Sequence, residues 1–157
     1  MKFQKYNAIM KPLIDQFQLT KEQLAFVKSP QENIVDAQED ENRTPILVFN
    51  EQDEFVTFFV LHKHSEFEDC FEVDNSIYIR SFSTDRRFLR KGYAKATLLE
   101  LPAFVTKEFP EIDYITLLVD VPNAHAKKMY EDCGFVAGKV VEGARYPAYT
   151  VIKKVSA

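Results

Sequence analysis

Residues 114–121 read YITLLVDV, an almost unbroken apolar run that is far too short for a membrane span, and no other stretch constrains the fold as much. A run of this kind predicts a strand buried on both faces. Helical patterns flank it. Before it, Ala94, Leu98, Leu101, Val105 and Phe109 recur at spacings of three and four, over residues 91 to about 109. Pro102 predicts a kink there, because its ring removes one backbone bond. After it, Pro122-Asn123 opens a helix whose stripe is Ala126, Met129, Tyr130 and Cys133, with Gly134 placed to end it. A doubly buried strand between two helices needs a sheet to join, and the rest of the chain supplies one. ILVFN, a polar EQDE turn and FVTFFVLHK form a hairpin, and SIYIRSF at 76–82 sets Ile77, Ile79 and Ser81 on one face against Tyr78, Arg80 and Phe82 on the other. Two closing strands fall near 135–142 and 148–154. At the other end a short strand near 3–6 precedes a helix that Pro12 starts near Lys11. Thr20-x-x-Gln23 and Ser29-x-x-Glu32 have the form of capping boxes for two further short helices. The order implies an α/β (α+β) chain, one domain over 1–157, with a mixed, mostly antiparallel twisted sheet of about six to seven strands and helices on both faces.

Composition narrows the function. Hydrophobic residues make up 46% and charged residues 28% of the 157, with four glycines, which excludes disorder and low-complexity classes. A net charge of −4 argues against nucleic-acid binding and against a polybasic membrane patch. Cys70 and Cys133 are the only cysteines and no leader precedes them, so the expectation is a cytoplasmic protein without disulfides. The positive charge that matters is therefore local.

It gathers in RRFLRKGYAK, residues 86–95. A strand feeding a helix through a turn exposes unpaired N–H groups and the positive end of the helix dipole, and Gly92 lets a ligand approach the backbone. Arg86, Arg87, Arg90 and Lys91 add charge, so a phosphate or pyrophosphate suits the place. A solvated basic first turn is the alternative reading. The segment from Phe88 to Ala94 resembles the acetyl-CoA signature of GCN5-related N-acetyltransferases, Q/R-x-x-G-x-G/A, with Gly92 and Ala94 in its last two defined places and Leu89 where Gln or Arg is usual. The run from Asn123 to Phe135 is similar to that family's N-x-x-A-x-x-x-Y-x-x-x-G-F, with every named place filled. The resemblance covers residues 45 to 155, and LTKEQLAFVKSP is similar to the N-terminal part of the family's bacterial polyamine and diamine acetyltransferases.

The resemblance implies acetyl-CoA as cofactor. It implies that backbone groups of Arg90, Lys91, Gly92, Tyr93, Ala94 and Lys95 hold the pyrophosphate, that Phe82 and Thr84 pair with the pantetheine arm, and that Asn123 fixes the cofactor from the next helix. Tyr130 is then the acid that protonates the leaving thiolate. It also implies direct attack by an amine, a small amine or polyamine being the first expectation; a protein N-terminus, a lysine or an antibiotic are the alternatives. A non-catalytic CoA-binding module is the rival from another class. Glu66, Glu68, Asp69 and Glu72 make a negative loop, of which Glu66 and Glu72 are the expected amine contacts. His62 and His64, two apart on a strand, share a face but lack a third ligand, so no metal is expected. Cys133 reads as helix packing. Sheet edges or the closing strands would allow a homodimer.

Overall fold

The computed structural model describes residues 1–156. It contains a seven-stranded sheet in the order β1-β2-β3-β4-β5-β7-β6. The strands are β1 (Lys2–Lys5), β2 (Arg43–Phe49), β3 (Phe55–His62), β4 (Ser76–Thr84), β5 (Tyr114–Asp120), β6 (Val136–Glu142) and β7 (Pro147–Lys154). The helices are α1 (Lys11–Gln16), α2 (Lys21–Leu24), α3 (Pro30–Gln38), α4 (Tyr93–Glu108) and α5 (Ala124–Asp132). The β1–β2, β2–β3, β5–β7 and β6–β7 pairs are antiparallel, whereas β4–β5 is parallel, as the mixed sheet predicted. Both capping boxes form: Thr20 Oγ1 accepts from the Gln23 N–H at 3.1 Å, and Ser29 Oγ accepts from the Glu32 N–H at 3.1 Å.

The chain divides into two compact units, Met1–His62 with Ile79–Thr97, and Lys63–Tyr78 with the residues from Leu98 onward. In the first, all eight residues of β3 are buried. Phe58 and Val60 join Ile14 and Phe17 of the α1 region, Ile34 of α3 and Leu47 of β2 in one core. The Phe17 ring lies 4.9 Å from that of Phe55. Each such side chain contributes on the order of 1.5–3 kcal/mol by leaving water. Two expectations fail here. Alternation along β4 breaks at Ser81, whose φ of +52° turns the backbone out of the extended region. His62 and His64 do not share a strand face: β3 ends at His62, which is buried, and His64 stands in a turn at φ +55°.

In the second unit β5 lies between β4 and β7, with Ile115, Leu117 and Val119 buried. From α4, Leu98, Leu101 and Val105 are wholly buried, the stripe the sequence predicted. Pro102 sits inside α4, and the helix continues past it to Glu108. β6 is the sheet margin, with Val136 and Val140 exposed and its register against β7 shifting between Ala137 and Val140. Among the described residues no helix is long and apolar enough to cross a membrane.

Candidate active site

The basic turn belongs to the first unit. After β4 the chain makes a 3-10 turn over Arg86–Phe88, takes left-handed backbone at Arg90 (φ +61°) and Gly92 (φ +84°), and enters α4 at Tyr93. The helical ladder opens with the Ala96 N–H donating to Gly92 O at 3.0 Å, which leaves the amides of Tyr93 and Ala94 outside it. No atom lies within 4 Å of where a Cβ at Gly92 would stand, so the backbone faces open space. Amides outside the ladder, room beside Gly92 and the positive dipole end beneath suit an anion at a helix entrance. Tyr93 is held from the side, its Oη accepting from Asn50 Nδ2 at 3.1 Å.

The four basic residues do not all serve that entrance. Arg87 Nη2 and Nε donate to Asp85 Oδ2 and Oδ1 at 2.8 and 2.9 Å, a bidentate pair, so its charge is matched inside the protein. Arg86, Arg90 and Lys91 are exposed. On β4, Phe82 stacks on Phe59 of β3 at 5.7 Å. The neighbouring Thr84 is buried; its Oγ1 meets Thr57 Oγ1 at 3.1 Å and its carbonyl accepts from Gln23 Nε2 at 2.8 Å. A carbonyl has two lone pairs, so a second donor still fits there. Between them Ser83 is 5% exposed and its Oγ has no partner.

Asn123 and Tyr130 belong to the second unit. Asn123 is the N-cap of α5, its Oδ1 accepting from the Ala126 N–H at 3.3 Å, so part of its capacity is spent on the helix. Two turns on, Tyr130 is 4% exposed, edge-on to Phe135 at 5.4 Å. Burial, with smaller contributions from Tyr78 and Cys133, pushes the Tyr130 phenol far above its usual range, so it keeps its proton at neutral pH. The C-terminal end of α5 is closed by Gly134 at φ +91° and by Lys153, whose Nζ donates to Cys133 O at 2.8 Å.

The acidic loop also lies in the second unit. An open depression of about 410 Å³ is lined by Glu68, Asp69, Glu72 and Asp74 with His64 and Asn75. Glu72 lies on it and bridges to Lys139 Nζ at 3.0 Å; Glu66 is not in its lining. Sequence reasoning missed Asp120, half-buried at the end of β5, whose carboxyl burial raises against the opposing pull of Arg145. It also missed Asp85, where a carboxylate just after a strand and two residues before an arginine was the available signal. Among the described residues no three His, Cys, Asp or Glu side chains gather as a metal set.

Comparison with known proteins decides what these parts belong to. Residues 11–135 match the model of the acetyltransferase (GNAT) family. A relative, the uncharacterized N-acetyltransferase YbbJ of Bacillus subtilis (strain 168), is 33% identical over 126 residues, 80% of this chain and 78% of its own. The chain belongs to the GNAT acetyltransferase family. GNAT membership bears out the N-acetyltransferase activity and the acetyl-CoA cofactor that the two signatures implied. The fold agrees. Spermidine N-acetyltransferase from Vibrio cholerae, in complex with CoA and spermine, superposes at a TM-score of 0.73 with 15% identity, over 99% of this chain and 95% of that one. Aminoglycoside acetyltransferase AAC(6')-Ib in complex with coenzyme A superposes at 0.78 with 16% identity, over 98% and 94%.

Proposed function

We propose that this GNAT protein acetylates the primary amine of a small cationic acceptor, a polyamine or similar amine, by direct attack. The observation that carries the reading is the turn from Arg90 to Gly92, where two left-handed residues and unobstructed space present the first amides of α4 to an anion. Amides from Arg90 to Lys95 take the diphosphate of CoA, and the backbone of Phe82 and Thr84 takes the pantetheine arm. Asn123 contributes what its cap leaves over. Bound acetyl-CoA supplies an acyl carbon, activated as a thioester, for the amine to attack.

The amine must arrive without its extra proton, and a carboxylate with a raised pKa is the better acceptor for it. Asp120 has that property. Tyr130 assists the departing sulfur. Burial makes its phenol a weak acid but a persistently protonated one, so its contribution is a hydrogen bond offered to sulfur as negative charge develops there. Cationic acceptors are favoured by the negative depression that Glu72 lines and by the overall charge of −4, with Glu66 adding to the same field. The spermine and aminoglycoside chemistry named for the two structural neighbours is of that polycationic kind.

Release of free thiol from acetyl-CoA, measured over a panel of polyamines, monoamines and aminoglycosides, tests the reading. Acceptor-dependent release with a polyamine is expected; saturable CoA binding with no release for any amine would leave a binding module in its place. In the same assay Tyr130→Phe should lower kcat by about 10²-fold while CoA affinity stays the same. Unchanged turnover would remove Tyr130 from the chemistry.

A further inference from the structure

Asp85 follows the last residue of β4 and exposes none of its surface. Its Oδ1 accepts from the N–H and Nε of Arg87, both at 2.9 Å, and its Oδ2 accepts from Arg87 Nη2 at 2.8 Å and from the Gln18 N–H at 3.0 Å. Its own N–H donates to Val56 O at 2.9 Å. Two further bonds run between the same segments: Arg86 N–H to Gln18 O at 2.8 Å, and Arg87 Nη2 to Gln16 O at 3.3 Å. Nearby, Gln23 reaches from α2 to the carbonyl of Thr84. One carboxylate thus fastens the α1–α2 connection to the point where the basic turn leaves the sheet.

Burying a carboxylate is costly unless its lone pairs are used, and replacing a whole buried ion pair by apolar side chains of similar volume is often neutral. Packing alone therefore does not call for a charge here. What the charge adds is geometry: two oxygens in one plane set the direction of Arg87 and the height of Gln18 together. Burial works against ionisation of Asp85, yet the bonds from Arg87 and Gln18 outweigh it and hold the carboxyl below the usual range, so the arrangement is in place at neutral pH.

We propose that Asp85 is a positioning residue for the cofactor: it fixes the start of the turn from Arg86 to Gly92 and makes residues 16–18 respond when that turn is filled. The inference rests on the reading that Arg90 to Lys95 hold the diphosphate. It assigns Arg87 to the protein rather than to the ligand. A filled turn resists the fluctuations that open the Asp85 bonds, so the Gln18 amide should be shielded by a ligand it does not touch.

Calorimetric titration with CoA and amide hydrogen exchange on the full chain test this. The wild type should bind CoA, and saturation should slow exchange at Gln18 several-fold. Asp85→Asn should weaken CoA binding by about tenfold and abolish the slowing at Gln18. A merely structural role would lower the unfolding midpoint yet leave the slowing intact. If Asp85→Asn does not fold, Arg87→Gln, altered at the exposed partner, should show the same loss in part. CoA binding by the wild type without any change at Gln18 would overturn the inference alone, as would full CoA affinity in the folded variant. No CoA binding by the wild type would overturn the diphosphate reading and this inference with it.

Discussion

At the scale of single residues, the side chains of Thr84, Asp85 and Arg87 are hydrogen-bonded, and Ser83 beside them stands out. A hydroxyl buried without a partner costs on the order of 1–3 kcal/mol relative to one that is bonded, and an alanine would carry no such cost. Ser83→Ala should therefore raise the stability of the protein by about 1 kcal/mol, read from the urea midpoint. A loss of stability would mean that the hydroxyl is satisfied. Tyr130 shows a different outcome of burial. The sequence placed it on a helical stripe, and the stripe is correct, but the burial that keeps its proton in place, with Tyr78 from β4 adding to it, is not set by that local run. The glycine and the helix start of the basic run were legible, and both are where the sequence put them. That Arg87 is paired internally was not, because its partner is defined by burial, which no local pattern reports.

At the scale of elements, the helices and strands followed the chain's periodicity closely: both capping boxes form, Pro12 lies at the start of α1, and β5 is buried as its composition required. Misreadings arose where an element stops or bends. SIYIRSF alternates as a strand should, yet Ser81 turns left-handed, and HKH reads as strand although only His62 belongs to one. His62 shows what such an end can do. Its Nε2 bonds Asp40 Oδ2 at 3.0 Å and its Nδ1 accepts from Arg80 Nη1 at 3.3 Å, joining the end of β3 to the loop before β2 and to β4. Both nitrogens are used in the neutral ring, and a second proton would displace Arg80. Burial, then the charges of Arg43 and Arg80, lower the His62 pKa despite Asp40. Because the unfolded chain takes up that proton first, the stabilisation is complete above the unfolded value near 6.5 and is lost as pH falls below it. Urea unfolding between pH 7.5 and 5 should show this decline, and His62→Gln should flatten it; an equal slope in the variant would place the titrating group elsewhere.

For the molecule as a whole, an acidic protein that binds a polyanion has to separate two fields. Arg86, Arg90 and Lys91 gather exposed positive charge at the helix entrance, while Glu66, Glu68, Asp69, Glu72 and Asp74 gather negative charge in one loop. If the acceptor is a polyamine, its KM should rise several-fold between about 0.05 and 0.5 M salt, because screening removes long-range attraction first. A KM indifferent to salt would point to an uncharged acceptor. The sheet carries a consequence of its own. FVTFFVL, which β3 keeps wholly covered, combines high strand propensity with no charge and no proline, the composition of a steric-zipper segment. While the chain is still being made, before β4 follows, this stretch is prone to self-assemble, so yield in a host cell will depend on how quickly that neighbour arrives.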